Sequence, residues 1–131
     1  MKKFVLLSLI NLCLWATPNW TASVQKAKAQ AAASDKLIMV MLSKEACDAC
    51  WYMENIVFDN TKVQAALKED FIPVYINVKV NPVPDFLPYR GTPTFYFLNA
   101  DGEVIAPRIE GSKNAKEFIS DLKEVKKLTK P

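Results

Sequence analysis

Residues 36–42, KLIMVML, carry a continuous apolar run without polar alternation, and after the four residues SKEA the chain reads CDAC at 47–50. A run this short, bounded by polar residues, predicts a strand buried on both faces. Such a strand needs a covering layer on each side, so the rest of the chain has to supply two sets of helices around one sheet.

Candidate layers lie on either side of it. Trp20–Ala33 is rich in helix formers, with Trp20, Val24, Ala27 and Ala31 recurring on one face. CDACWYMENIVF opens as a helix at the cysteines, and DNTKVQAALKED (59–70) begins another, with Asp59, Asn60 or Thr61 able to cap it. FIPVYINV (71–78) reads as the next strand. The following stretch carries Pro82, Pro84, Pro88 and Pro93, each of which removes an amide donor and restricts its predecessor, so helix is not expected there. TFYFL (94–98), the turn NADG (99–102) and EVIAPRI (103–109) predict a hairpin. Asn114 and Glu117 then form a capping arrangement for a closing amphipathic helix carrying Phe118, Ile119, Leu122 and Val125. Strands joined through helices need a parallel portion and the late hairpin an antiparallel edge. The expected class is α/β, one mixed sheet flanked by helices.

The first residues have a different character. Lys2 and Lys3 precede an apolar run from Phe4 to Ala16, after which the composition changes at TPNWTAS. This is the layout of a secretory signal peptide, too short to span a bilayer, with cleavage expected after Ala16 or Ala22. The expected organisation is therefore a signal at 1–22 and one domain at 23–131, located in the periplasm or secreted. An uncleaved membrane anchor is the rival reading. Cys13 falls within the run, and the preceding Leu12 is not the small residue a lipid-modification site carries. Cleavage would leave Cys47 and Cys50 as the only cysteines, and would take the basic residues from 17 to 15 against 14 acids, near +1. No basic stripe survives to suggest nucleic acid, because the lysines between 113 and 130 alternate with Glu117, Asp121 and Glu124.

A CxxC pair opening a helix has a definite electronic consequence. The first sulfur meets unpaired N–H groups and the positive end of the helix dipole, which favour its thiolate. The second lies within the first turn, placed to attack a mixed disulfide made by the first. Cys47 is the expected nucleophile and Cys50 the resolving thiol. A zinc site is disfavoured, since the chain holds no histidine and zinc takes four ligands. A permanent structural disulfide would close a very short loop and stabilise little. No cofactor beyond the Cys47–Cys50 dithiol/disulfide is expected.

The stretch CDACWYMENIVFDNTKVQAALKEDFIPVYINV, joined to GTPTFYFLNADG downstream, resembles the thioredoxin superfamily over about Trp20–Leu128. Within it the chain is similar to the secreted thioredoxin-like branch that includes the C-terminal domain of the DsbD-type membrane electron transporter. The resemblance implies a thioredoxin fold and a cis proline at Pro93 facing the CxxC, with Thr92 offering its backbone to an extended client strand. An ordinary strand-opening proline is the plainer reading of Pro93. Trp51 falls where relatives often place an exposed lysine, and reads either as an apolar contact surface beside the disulfide or as a packed ring.

Two departures stand out. Ala46 replaces the family's tryptophan before the first cysteine, and Met41 occupies the place of its buried acid, leaving Glu45, Glu54 or water to move the proton. Asp48 and Glu45 both oppose a Cys47 thiolate; at ~6 Å and an effective dielectric of ~40, one such charge costs about 1.4 kcal/mol, roughly one pKa unit. That points to a reductant or electron shuttle acting on protein thiols and disulfides; the protein is expected to be monomeric and, as an exported protein with no NADPH-linked reductase nearby, to take electrons from a membrane donor of DsbD type. The alternatives are a non-catalytic binding module of the same fold and a disulfide oxidase or isomerase.

Overall fold

A computed structural model describes residues 19–129. The signal-like run, with Lys2, Lys3, Cys13 and the Ala16 cleavage point, lies outside the described residues. The elements follow the order α1 (Val24–Ser34), β1 (Leu37–Ser43), α2 (Asp48–Tyr52) running into a π-helical turn (Met53–Val57), α3 (Thr61–Asp70), β2 (Phe71–Asn77), β3 (Thr94–Leu98), β4 (Ile109–Glu110) and α4 (Ala115–Lys127).

One mixed sheet runs β2-β1-β3-β4. β1 pairs parallel with β2, from Leu37↔Phe71 to Ser43↔Asn77, and antiparallel with β3, from Ile38↔Leu98 to Leu42↔Thr94. Every residue of β1 is buried. Its side chains divide by parity between two cores: Leu37, Met39 and Met41 join Met53, Val57, Leu67, Phe95 and Phe118 on one face, while Ile38, Val40 and Leu42 meet Ala27, Ala31, Val74 and Leu87 on the other. This division is why the run shows no polar alternation. The first core contains an aromatic cluster, with Phe58, Phe95 and Phe118 at centroid separations of 5.2–6.1 Å.

Caps set the helix ends. Ser23 caps α1, Asn60 caps α3 by accepting from Lys62 and Val63, and Asn114 with Glu117 forms the expected capping box on α4. Lys36 donates its ammonium to the Lys68 carbonyl in the last turn of α3 at 2.6 Å.

Three local expectations are corrected. The first helix begins at Val24 rather than Trp20, because Thr21 pairs with the outer edge of β2 and Ser23 takes the cap. The helix of the CxxC widens at Met53, where the Phe58 N–H reaches the Met53 carbonyl five residues back at 2.8 Å. The hairpin is interrupted as well: Leu98 bridges Val104 and Phe95 pairs with Ile109, so 105–108 face only Tyr96 and Phe97. Pro107, which has no N–H for the ladder, sits in this bulge.

Phe118 lies at the junction of the aromatic core and is fully buried. Phe118→Ala is expected to lower the unfolding free energy by about 3–5 kcal/mol. Urea denaturation of the two proteins measures this, and a loss below about 1 kcal/mol would contradict the packing described.

Candidate functional site

The chain leaves β1 at Ser43 and turns sharply at Ala46, whose φ of 52° lies in the left-handed region. A non-glycine residue there stores on the order of 1 kcal/mol. The turn delivers Cys47 to the N-cap of α2 in an extended conformation, and the Cys50 N–H donates to the Cys47 sulfur at 3.2 Å. Cys47 and Cys50 form a disulfide with a Cα separation of 5.2 Å. The two sulfurs are not equivalent: Cys47 is half-buried, whereas Cys50 is 1% exposed.

Thr92 and Pro93 lie directly across from the pair, joined by a cis peptide bond. The Thr92 carbonyl oxygen is 3.4 Å from Cys47 Sγ, and the Thr92 hydroxyl donates to the same sulfur at 3.5 Å. Contacts with no local signature in the sequence hold this segment. Arg108 donates to the Pro88 carbonyl at 2.8 Å and to the Tyr96 hydroxyl at 3.1 Å, while pairing with Glu110 at 2.7 Å. Tyr96 also donates to Pro88, Thr94 to the Gly91 carbonyl at 2.7 Å, and the Gly111 N–H to the Pro93 carbonyl at 2.9 Å. The proline-rich stretch is thus tied down on both sides of Thr92 without a helix. The bulge at 105–108 is what brings Arg108 to it.

The three acids fall in different places. Asp48 and Glu45 are exposed, so salt and solvent screen their influence on Cys47. Glu54 is half-buried and accepts from the Ser43 hydroxyl at 3.2 Å. It lines a cavity of about 400 Å³ together with Trp20, Met41, Phe58 and Tyr75. Met41 and Tyr75 are register partners on β1 and β2. Glu54, on the π-turn that continues the helix of the cysteines, thus lies across this cavity from the strand position where Met41 stands. Burial pushes the Tyr75 phenol above its ordinary value; a hydrogen bond with Ser43 opposes this and the Glu54 carboxylate adds to it. Ser43 and Tyr75 were not singled out by the sequence, because a strand serine and a strand tyrosine carry no motif.

Trp51 is 58% exposed beside the disulfide, with Phe86 and Tyr89 of the proline-rich stretch also exposed. Of the two readings of Trp51, the packed ring is excluded. Among the described residues, no group of three or more His, Cys, Asp or Glu side chains is placed to hold a metal ion. No helix among them is long and apolar enough to cross a membrane.

The family model described as a thioredoxin-like domain matches residues 24–126. The chain belongs to the thioredoxin-like domain family. The fold recurs in a thioredoxin from Thermus thermophilus, 28% identical, covering 84% of this chain and 88% of that one with a TM-score of 0.67. It recurs also in DsbH oxidoreductase, 18% identical, covering 86% and 87% with a TM-score of 0.69. The oxidised C-terminal domain of Neisseria meningitidis DsbD is 16% identical, covering 76% and 89% with a TM-score of 0.60. No curated protein matches the chain by sequence. Membership of this family and the CxxC disulfide together support thiol–disulfide oxidoreductase chemistry.

The raised Tyr75 pKa has a worked sign. A phenol whose pKa is higher folded than unfolded stabilises the protein fully below the unfolded value of about 10, and that contribution is lost as pH rises through the folded value. Unfolding free energy is expected to fall above pH 10, and Tyr75→Phe to flatten this alkaline decline. Denaturant titrations between pH 8 and 11.5 provide the check; identical slopes in the two proteins would contradict it.

Proposed function

We propose that this protein is an exported thiol:disulfide oxidoreductase, a reductant or electron shuttle for protein disulfides. The observation that carries the reading is the asymmetry of the pair, with Cys47 accessible at a helix N-cap against Thr92 and Cys50 buried behind it. The Cys47 thiolate attacks a client disulfide, forming a mixed disulfide and releasing one client thiolate. The Cys50 thiolate then attacks Cys47 Sγ, which closes the Cys47–Cys50 bond and releases the second client thiolate. Two electrons pass to the client, and the dithiol of a membrane donor of DsbD type restores the pair. The backbone of Thr92 and the exposed ring of Trp51 receive the client segment by strand addition and apolar contact. Glu54 takes the proton of the Cys50 thiol, in place of the acid that Met41 displaces. Export rests on the signal-like run at 1–16 and on the fold shared with DsbH oxidoreductase and the DsbD C-terminal domain.

Reduction of insulin disulfides in the presence of dithiothreitol tests the reading. The wild type is expected to accelerate it, Cys47→Ser to abolish the acceleration, and Cys50→Ala to accumulate a mixed disulfide through Cys47. Glu54→Gln should slow resolution at least tenfold, the low end of general-base effects being ~10²-fold when no water substitutes. The redox potential should fall nearer the thioredoxin value of about −270 mV than the roughly −120 mV of strong oxidants. Absence of thiol-dependent turnover would favour a binding module, and a potential near the oxidant value would reverse the direction of electron flow.

A further inference from the structure

Residues 20–22 lie between the two expected cleavage points, and the structure gives them work to do. The Thr21 N–H donates to the Pro73 carbonyl at 3.1 Å, and the Thr21 carbonyl accepts from the Tyr75 N–H at 2.9 Å. Thr21 is thereby a one-residue parallel extension of the sheet, bridged to Val74 on the outer edge of β2. Without it, a donor and an acceptor of an edge strand lose their partners. Trp20 packs against Phe58 at a centroid distance of 5.2 Å and meets Tyr75 edge-on at 6.4 Å. Trp20, Thr21 and Ala22 together form one wall of the cavity that holds Glu54 and Tyr75.

The start of α1 depends on the same residues. The Ser23 N–H donates to the Thr21 hydroxyl at 3.2 Å while the Ser23 hydroxyl caps Lys26. Cleavage after Ala22 would remove that acceptor and turn the Ser23 amide into a charged ammonium at the positive end of the helix, where a cation is unfavourable.

We propose that processing removes the chain only as far as Ala16, so that the mature protein begins at Thr17 and keeps Trp20–Ala22 as the bridge to the edge of β2 and one wall of the Glu54 cavity. This inference rests on the export reading above and refines it. Ala16 is a small residue directly at the end of the apolar run, whereas Ala22 lies six residues further on. Retention of Trp20 keeps the Glu54 carboxylate under an aromatic wall instead of in open solvent.

The full chain, expressed in an export-competent bacterium, supplies the test through intact mass and N-terminal sequencing of the exported product. An N-terminus at Thr17 is expected, with Ala16→Phe blocking processing and Ala22→Phe leaving it unchanged. An N-terminus at Ser23 would overturn this inference while leaving export intact. A chain that keeps Met1 would overturn the export reading itself, and this inference with it. Independently, purified protein beginning at Ser23 should melt roughly 10 °C below protein beginning at Thr17, the scale of a lost edge pairing, a cap and a packed aromatic. Equal melting temperatures would remove the structural ground for the proposal.

Discussion

The site depends on β1 being fixed from every direction at once. It is hydrogen-bonded on both edges, to β2 and β3, and buried on both faces by separate cores. An element held in this way cannot shift register without moving all of its side chains to the wrong core. Its C-terminal end therefore places the Ala46 turn, and with it Cys47, at a defined point. β3 enters the sheet beside the same point, and the residues just before it are Thr92 and Pro93. The encounter of Cys47 with Thr92 follows from β1 ending where its antiparallel neighbour β3 begins, with the Arg108 contacts holding the stretch that leads into β3.

The chemistry of the pair then follows from unequal burial. A sulfur at an N-cap, receiving an N–H from Cys50 and a hydroxyl from Thr92, has its thiolate stabilised by groups that are already oriented. The exposed carboxylates of Asp48 and Glu45 oppose that effect through solvent and so weaken it only modestly. Glu54 differs because it reaches the interior, where its interaction with Ser43 and Tyr75 is less screened. A strand that carries Met41 packs better than one carrying a buried acid. Glu54 itself stands on the π-helical turn, which begins one residue before it.

Much of this was legible in the residues. The unbroken apolar run of β1 required two cores, the CxxC located a helix start, and the Asn114–Glu117 pair fixed the beginning of α4. These features are local, and their physics is written in consecutive residues. What the sequence did not show depends on contacts far along the chain. Arg108 meets Pro88 only because two extra residues bulge between β3 and β4, and no local pattern encodes that bulge. The π turn at Met53 has the same helix-forming residues as an ordinary turn. Trp20 and Thr21 read as helix because their spacing continues that of Val24, Ala27 and Ala31, while the edge of β2, more than fifty residues away, claims their backbone instead.

That one sulfur is poised for attack while the other is sheltered can be measured on the reduced protein. Limited alkylation with iodoacetamide across pH 5–9, read by peptide mass spectrometry, reports the thiolate fraction and access of each cysteine separately. The structure predicts rapid modification at Cys47, with an apparent pKa below the ~8.5 of a free thiol, and protection of Cys50 throughout. Equal labelling of the two cysteines, or faster labelling of Cys50, would contradict it.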